Sequence, residues 1–264
     1  MTFGFSTLGC PEMGLAEIVR TAQSRHITEI EIRGMGEHLD AREIPAFSPE
    51  ALPATRAFLA EAGVRILSLD TSACFHDPAG YDAALEEACA AVEIAAVLGA
   101  PFVRVFGNNT GDDPAGTVRR VIRGMKCLAD KAAALGVTAL LETHGDFRTE
   151  ETLSPVTEAL GTHPGFGLLW DVLQLYYTAG RDFLPLYRTF LPYIRHVHFK
   201  DCTPAPDFAL TLPGEGDIPL AAIYRRLRED GYDGCVSLEW ERRWHPDFPP
   251  VGTALDAMLA LLRD

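Results

Sequence analysis

The stretch Arg195-His196-Val197-His198-Phe199-Lys200-Asp201 sets two imidazoles and an amine on one side of a chain whose other side is apolar. Period-two alternation of this kind marks a strand with one apolar face. A solvated second face would carry Thr, Lys and Glu, whereas His196, His198 and Lys200 suit the wall of a site. Three further strand-like runs end in an acid: Thr138 to Glu142, Gly167 to Asp171 and Val236 to Glu239. Taken singly, each acid reads as a cap or an ion-pair partner. At the same rung of consecutive units, Glu142, Asp171, His198 and Glu239 face one point, where three carboxylates without a cation would repel and raise one another's pKa values. One divalent cation removes the conflict. Three oxygens and one imidazole nitrogen suit Mn²⁺ first, with Mg²⁺, Co²⁺ or Zn²⁺ also compatible.

The elements that must bring these ends together form a repeat of unit type. Strands begin near residues 2, 28, 65, 102, 138, 167, 194 and 235, each followed by a helix or a helix-length segment. Eight such units in one chain of 264 residues predict a closed (β/α)₈ TIM barrel, a single domain over 1-264. Ser48-Pro49, Asp113-Pro114 and Ser154-Pro155 predict helix starts by the cap-then-proline signature. Gly63, Gly99, Gly136 and Gly231 predict helix ends. The long segments, Ser6 to Gly14, Gly34 to Phe47, Thr71 to Gly80, Gly107 to Asp113, Cys202 to Asp217 and Glu241 to Val251, all follow strands. They predict that the C-terminal face of the barrel carries the site.

A net charge of −14 disfavours DNA, RNA and anionic membrane surfaces. The six cysteines are scattered without a C-x-x-C pair and read as reduced thiols of a cytoplasmic protein. No secretory leader is read at Met1 to Phe5, and no apolar run reaches the roughly 18 residues of a membrane span. The amphipathic helices are compatible with a homo-oligomer and do not fix one.

Leu141-Glu142-Thr143-His144-Gly145-Asp146, Leu169-Trp170-Asp171, His196 to Asp201, Pro213 to Pro219 and Gly231 to Glu241 together resemble the xylose isomerase-like sugar phosphate isomerase/epimerase family. The resemblance covers essentially the whole chain and is most specific from residue 138 onward. It implies a TIM barrel with one divalent metal on Glu142, Asp171, His198 and Glu239, and Glu142 and Glu239 as the acid–base pair. Members include ketose 3-epimerases, hydroxypyruvate isomerase, inosose dehydratase and a DNA-repair endonuclease branch, so the scaffold is fixed more firmly than the substrate. Where the family commonly has His three residues after the strand-six Asp, this chain has Gln174, which can hydrogen-bond a hydroxyl and cannot be protonated.

These readings predict a divalent-metal-dependent isomerase or epimerase of a small sugar, polyol or hydroxy-keto acid, working through a metal-stabilised enediolate. An inosose-type dehydratase, or a metal-binding barrel without turnover, is the alternative. The endonuclease branch would need more strand-end histidines and a basic groove. His144, Gln174, Lys200, Arg33 and His76 are the expected substrate contacts, with Lys200 equally suited to pair Asp171 or Glu239. His196 reads as a hydrogen-bonded core residue, and Glu31, Arg33 and Arg104 as rim groups or a buried ion pair. Gly214-Glu215-Gly216 carries an acid where a phosphate would want a cation, which favours an unphosphorylated substrate.

Overall fold

A computed structural model describes residues 1–263. Eight parallel strands close into a barrel: β1 (Thr2–Ser6), β2 (Glu29–Ile32), β3 (Arg65–Cys74), β4 (Phe102–Phe106), β5 (Thr138–Glu142), β6 (Phe166–Asp171), β7 (Ile194–Phe199) and β10 (Cys235–Leu238). Closure is made by β1 on β10, with Thr2 opposite Cys235 and Phe5 opposite Leu238. Around it stand α1 (Leu15–Gln23), α2 (Leu52–Ala62), α3 (Tyr81–Leu98), α4 (Pro114–Ala134), α5 (Glu150–Leu160), α6 (Val172–Ala179), α7 (Leu184–Phe190), α8 (Leu220–Glu229) and α9 (Val251–Leu261). Among the described residues no helix is long and apolar enough to cross a membrane.

Alternation along the strands separates two environments. Ile30, Ile32, Leu69, Val103, Val105, Leu141, Val197, Phe199, Val236 and Leu238 join the apolar layer beneath the helices, and this burial is the main driving force for closure. The other face of the strands looks into the bore, where Ser6, Glu31, Ser68, Asp70, Arg104, Glu142, His196, His198 and Ser237 are all buried. Contacts of Glu31 on β2 with both histidines of β7 cross the bore, because β1 and β10 lie between those strands in the sheet. A bore lined so heavily by polar groups must satisfy them internally.

The local grammar departs from expectation at four places. Ser48 makes a turn, its hydroxyl accepting from the Ala51 N–H at 3.3 Å, and α2 starts only at Leu52, where Pro53 stands in the first turn and sets the start. The helix expected at Ser154 starts one turn earlier behind Thr149, with Glu150 and Glu151 at its positive end and Pro155 inside it. Strand β3 runs on to Cys74, through a stretch expected as loop, and its register against β4 shifts between Asp70 and Cys74. Asp113 caps α4 as expected, accepting from the Gly116 N–H at 2.9 Å, and Gly63 and Gly99 end their helices at φ of +67° and +76°. The Cys202 to Asp217 segment contains a small antiparallel ribbon, β8 (Asp201–Cys202) with β9 (Leu210–Thr211), that the sequence reading lacks.

Candidate metal centre and active site

Glu142 ends β5, Asp171 ends β6, His198 lies one residue before the end of β7, and Glu239 directly follows β10. Each offers one donor atom, and the four atoms lie within 4.8 Å of one another in a buried setting. Glu142 Oε2, Asp171 Oδ2 and His198 Nδ1 are buried without a hydrogen bond, which is costly for groups of this polarity. Asp171 shows how this arises. Its Oδ1 caps α6 by accepting from the Leu173 N–H at 2.8 Å, its own N–H donates to the Thr143 hydroxyl at 2.9 Å, and Oδ2 is left facing the cluster. Three carboxylates and one imidazole nitrogen, three of the four with a buried atom that makes no hydrogen bond and is met only by a charged neighbour, fit a divalent cation with an oxygen-rich shell.

The orientation of His198 is fixed from behind. Glu31 accepts from Nε2 of His198 at 2.7 Å and from Nε2 of His196 at 2.7 Å, one oxygen for each ring. His196 is tied at its other end, Nδ1 lying 3.2 Å from the Cys235 carbonyl oxygen. With the Nε2 proton of His198 committed to Glu31, Nδ1 is the nitrogen that faces the carboxylates, 3.4 Å from Glu239 Oε2, and it is the atom that would ligate a cation once the cation displaces its proton. Sequence reasoning placed His196 correctly as a bonded core residue. It left Glu31 between two roles, and the structure makes it the anchor of both histidines.

Cations are distributed unevenly. Lys200 Nζ lies 2.9 Å from Asp171 Oδ2, 2.5 Å from Glu239 Oε2 and 2.8 Å from Glu241 Oε1, so both expected pairings occur together with a third. Arg104 sits under the Phe106 ring at 4.0 Å, pairs Glu142 at 3.0 Å and donates to the Thr71 carbonyl at 2.9 Å. Charge states follow. Burial pushes Glu142 up to about 8, opposed by Arg104 and reinforced by the Glu239 and Asp171 charges. Burial acts in the same direction on Glu239, yet Lys200 and His198 outweigh it and hold that carboxylate well below its usual range. Burial would depress His198, but Glu31 and Glu239 raise it well above the ordinary imidazole value.

The remaining expected contacts divide. His144 lies beside the Phe106 ring at 4.9 Å with Nδ1 unpartnered, and burial lowers its pKa. Gln174, in the first turn of α6, is buried and its Oε1 accepts from Arg148 at 3.1 Å. Arg33 is buried at the end of β2, its guanidinium donating to the Ser72 hydroxyl at 3.1 Å. His76 is different: its carbonyl binds Arg120 of α4, and among the described residues no hydrogen bond or ion pair joins its ring to the four donors.

Sequence reasoning missed Glu241, Asp70, Arg148 and Asp201. Glu241 was within reach of the alternation that found Glu239, two residues earlier. Asp201 carries the clearest structural task. Its carboxylate accepts from the N–H groups of Cys202, Gly214, Gly216 and Ile218 at 2.8–3.2 Å, closing the loop after β7. A Cβ on Gly216 would lie 2.2 Å from Asp201 Oδ1. The glycine amides that a phosphate would need are therefore already occupied.

Known proteins resemble this chain at two levels. An inosose dehydratase of Lacticaseibacillus casei is 26% identical over 140 residues, 47% of this chain and 47% of its own, so the alignment spans about half the length of the curated relatives. The IOLI protein solved with a bound zinc atom superposes at a TM-score of 0.81 with 19% identity, over 99% of this chain and 98% of its own. The 3-keto-D-glucoside 4-epimerase YcjR of E. coli does so at 0.78 with 17% identity, over 100% of both chains. At such identities the two structures establish a shared fold. The xylose isomerase-like TIM barrel profile matches residues 20–264, and with that match across nearly the whole barrel the chain belongs to the xylose isomerase-like TIM barrel family.

Proposed function

We propose that the protein is a divalent-metal-dependent isomerase or epimerase of a small sugar, polyol or hydroxy-keto acid. The observation that carries this reading is geometric: Glu142, Asp171, His198 and Glu239 come from four successive strand ends, and their donor atoms lie within 4.8 Å of one another in a buried setting. Glu142 and Glu239 stand on non-adjacent strands of that cluster, the placement an acid–base pair needs. A divalent cation held by Glu142, Asp171, His198 and Glu239, with manganese the first choice, would polarise a hydroxy-ketone and acidify the C–H between its two oxygens. Glu239 then takes that proton, and Glu142, on a non-adjacent strand across the rim, returns one from the other side. Arg104 holds the Glu142 carboxyl in place from below. His144 and Gln174 contribute hydrogen bonds to substrate hydroxyls, and Lys200 keeps Asp171 and Glu239 from moving apart.

The inosose dehydratase likeness favours a second reading, in which the same proton abstraction is followed by loss of a β-hydroxyl assisted by the acid. Incubation of the protein with Mn²⁺ and a panel of ketoses, inososes and hydroxypyruvate in D₂O separates the two. Deuterium entering carbon without loss of water supports the isomerase or epimerase reading, and loss of water supports dehydration. Binding of the metal with neither outcome would leave a barrel that binds without turnover and end both proposals.

A further inference from the structure

Three buried cations stand at the mouth of the barrel, and they are not used alike. Lys200 contacts three carboxylates, and Arg104 contacts Glu142 and a carbonyl. Arg33 contacts none. It is only 8% exposed, its Nη2 donates to the neutral Ser72 hydroxyl at 3.1 Å, and its Nη1 is buried without a partner. Among the described residues no carboxylate lies within 4.0 Å of its guanidinium. Asp70, Glu239 and Glu142 attract it from farther off and Arg104 repels it, with burial the larger influence, and together these lower it to about 10. A desolvated guanidinium without a counter-ion is an expensive arrangement unless an anion arrives with a ligand.

We propose that Arg33 is the seat of a substrate carboxylate, so that the mouth takes a small hydroxy-keto acid with its acid group on Arg33 and its hydroxy-ketone end at Glu142, Asp171, His198 and Glu239. The inference rests on the reading of that cluster as the reacting centre. A carboxylate matches the fork of one guanidinium through two parallel N–H···O bonds. A phosphate would call for amides or a second cation, and the Gly214 and Gly216 amides are occupied by Asp201. A hydroxyl group of a neutral sugar would leave the buried charge uncompensated.

Hydroxypyruvate and dihydroxyacetone share a hydroxymethyl ketone and differ in carboxylate against hydroxymethyl, so their affinities for the Mn²⁺-loaded protein isolate the acid group. Calorimetric titration of wild type, Arg33→Gln and Arg33→Lys removes any preference due to the cation itself, which all three retain. The expected result is a preference for hydroxypyruvate that falls about 10- to 100-fold in Arg33→Gln, the scale of one charge-assisted pair, with dihydroxyacetone binding unchanged. Arg33→Lys keeps part of the preference. Ligand-free Tm of Arg33→Gln stays at or above that of wild type, because an unpaired buried charge has been removed. A preference unchanged in Arg33→Gln overturns the carboxylate seat and leaves the metal-cluster reading standing. A large loss of Tm in that variant assigns Arg33 to the fold and likewise overturns it. Failure of wild type to bind either compound overturns both.

Discussion

The rim of the barrel has two arcs of unlike composition. From β5 round to β10 come Glu142, Asp171, His198 and Glu239, mostly anions converging on one point. From β2 to β4 come Glu31, Arg33, Asp70 and Arg104, charges of both signs set behind or beside that point. The first arc supplies donors that only a cation can join. The second supplies what keeps them oriented: Glu31 for His198 and Arg104 for Glu142. A donor cluster of this kind is therefore a property of the closed barrel, and two of its determinants, Glu31 and Arg104, lie outside the four donors.

The sharpest way to break this division is to remove the one cation that belongs to the donor arc. Lys200→Met leaves Asp171, Glu239 and Glu241 without their shared partner, which should destabilise the cation-free protein by about 3–5 kcal/mol. Urea unfolding in chelator should show this loss, and Mn²⁺ should recover most of it by replacing the missing positive charge. An unchanged midpoint in chelator would mean that Lys200 does not hold the arc together.

A smaller effect tests the supporting arc. In Glu31→Gln the amide can accept from one imidazole but must donate to the other, so one ring loses its assigned tautomer while all four donors stay in place. Calorimetric affinity for Mn²⁺ should fall about 10- to 100-fold. Equal affinities in the two proteins would return Glu31 to the status of a buried ion pair.

A third test lies in the pH dependence. Glu142, raised from its ordinary 4.5 to about 8, keeps its proton in the folded cation-free state after the unfolded chain has released it. Its contribution to stability is then lost as pH rises from about 4.5 to about 8. Relative to Glu142→Gln, the cation-free wild type should lose Tm steadily across that window. Parallel curves for the two proteins would show that Glu142 does not titrate there.

The same two arcs explain what could be read from the sequence. Glu142, Asp171, His198 and Glu239 were legible because each ends a short alternating run and the runs recur at the spacing of β/α units. Glu31 was not assigned because its partners lie 165 and 167 residues away, across the bore, with no local pattern to announce them. Arg148 was missed for a related reason, since it reaches Gln174 from a loop without periodicity. The helix starts at Ser48 and Ser154 were misplaced because a second proline in one case, and Thr149 with two acids in the other, define the first turn better than the cap-then-proline pair. Closure into eight strands was readable throughout, because hydrophobic alternation and short helix-to-strand turns leave few other topologies.

The bond of Glu31 to both imidazoles also bears on how the two halves of the chain recognise each other. Cut between β4 and β5, the C-terminal piece would hold His196, His198 and Glu142 stripped of Glu31 and Arg104, and the N-terminal piece would hold those two groups equally bereft. Hydrated in either fragment, these groups could be buried again without a large desolvation cost only against the other half in the correct register. Reassembly from separated halves is thereby steered toward a single pairing by polar groups at the centre, where an all-aliphatic bore would have tolerated slippage.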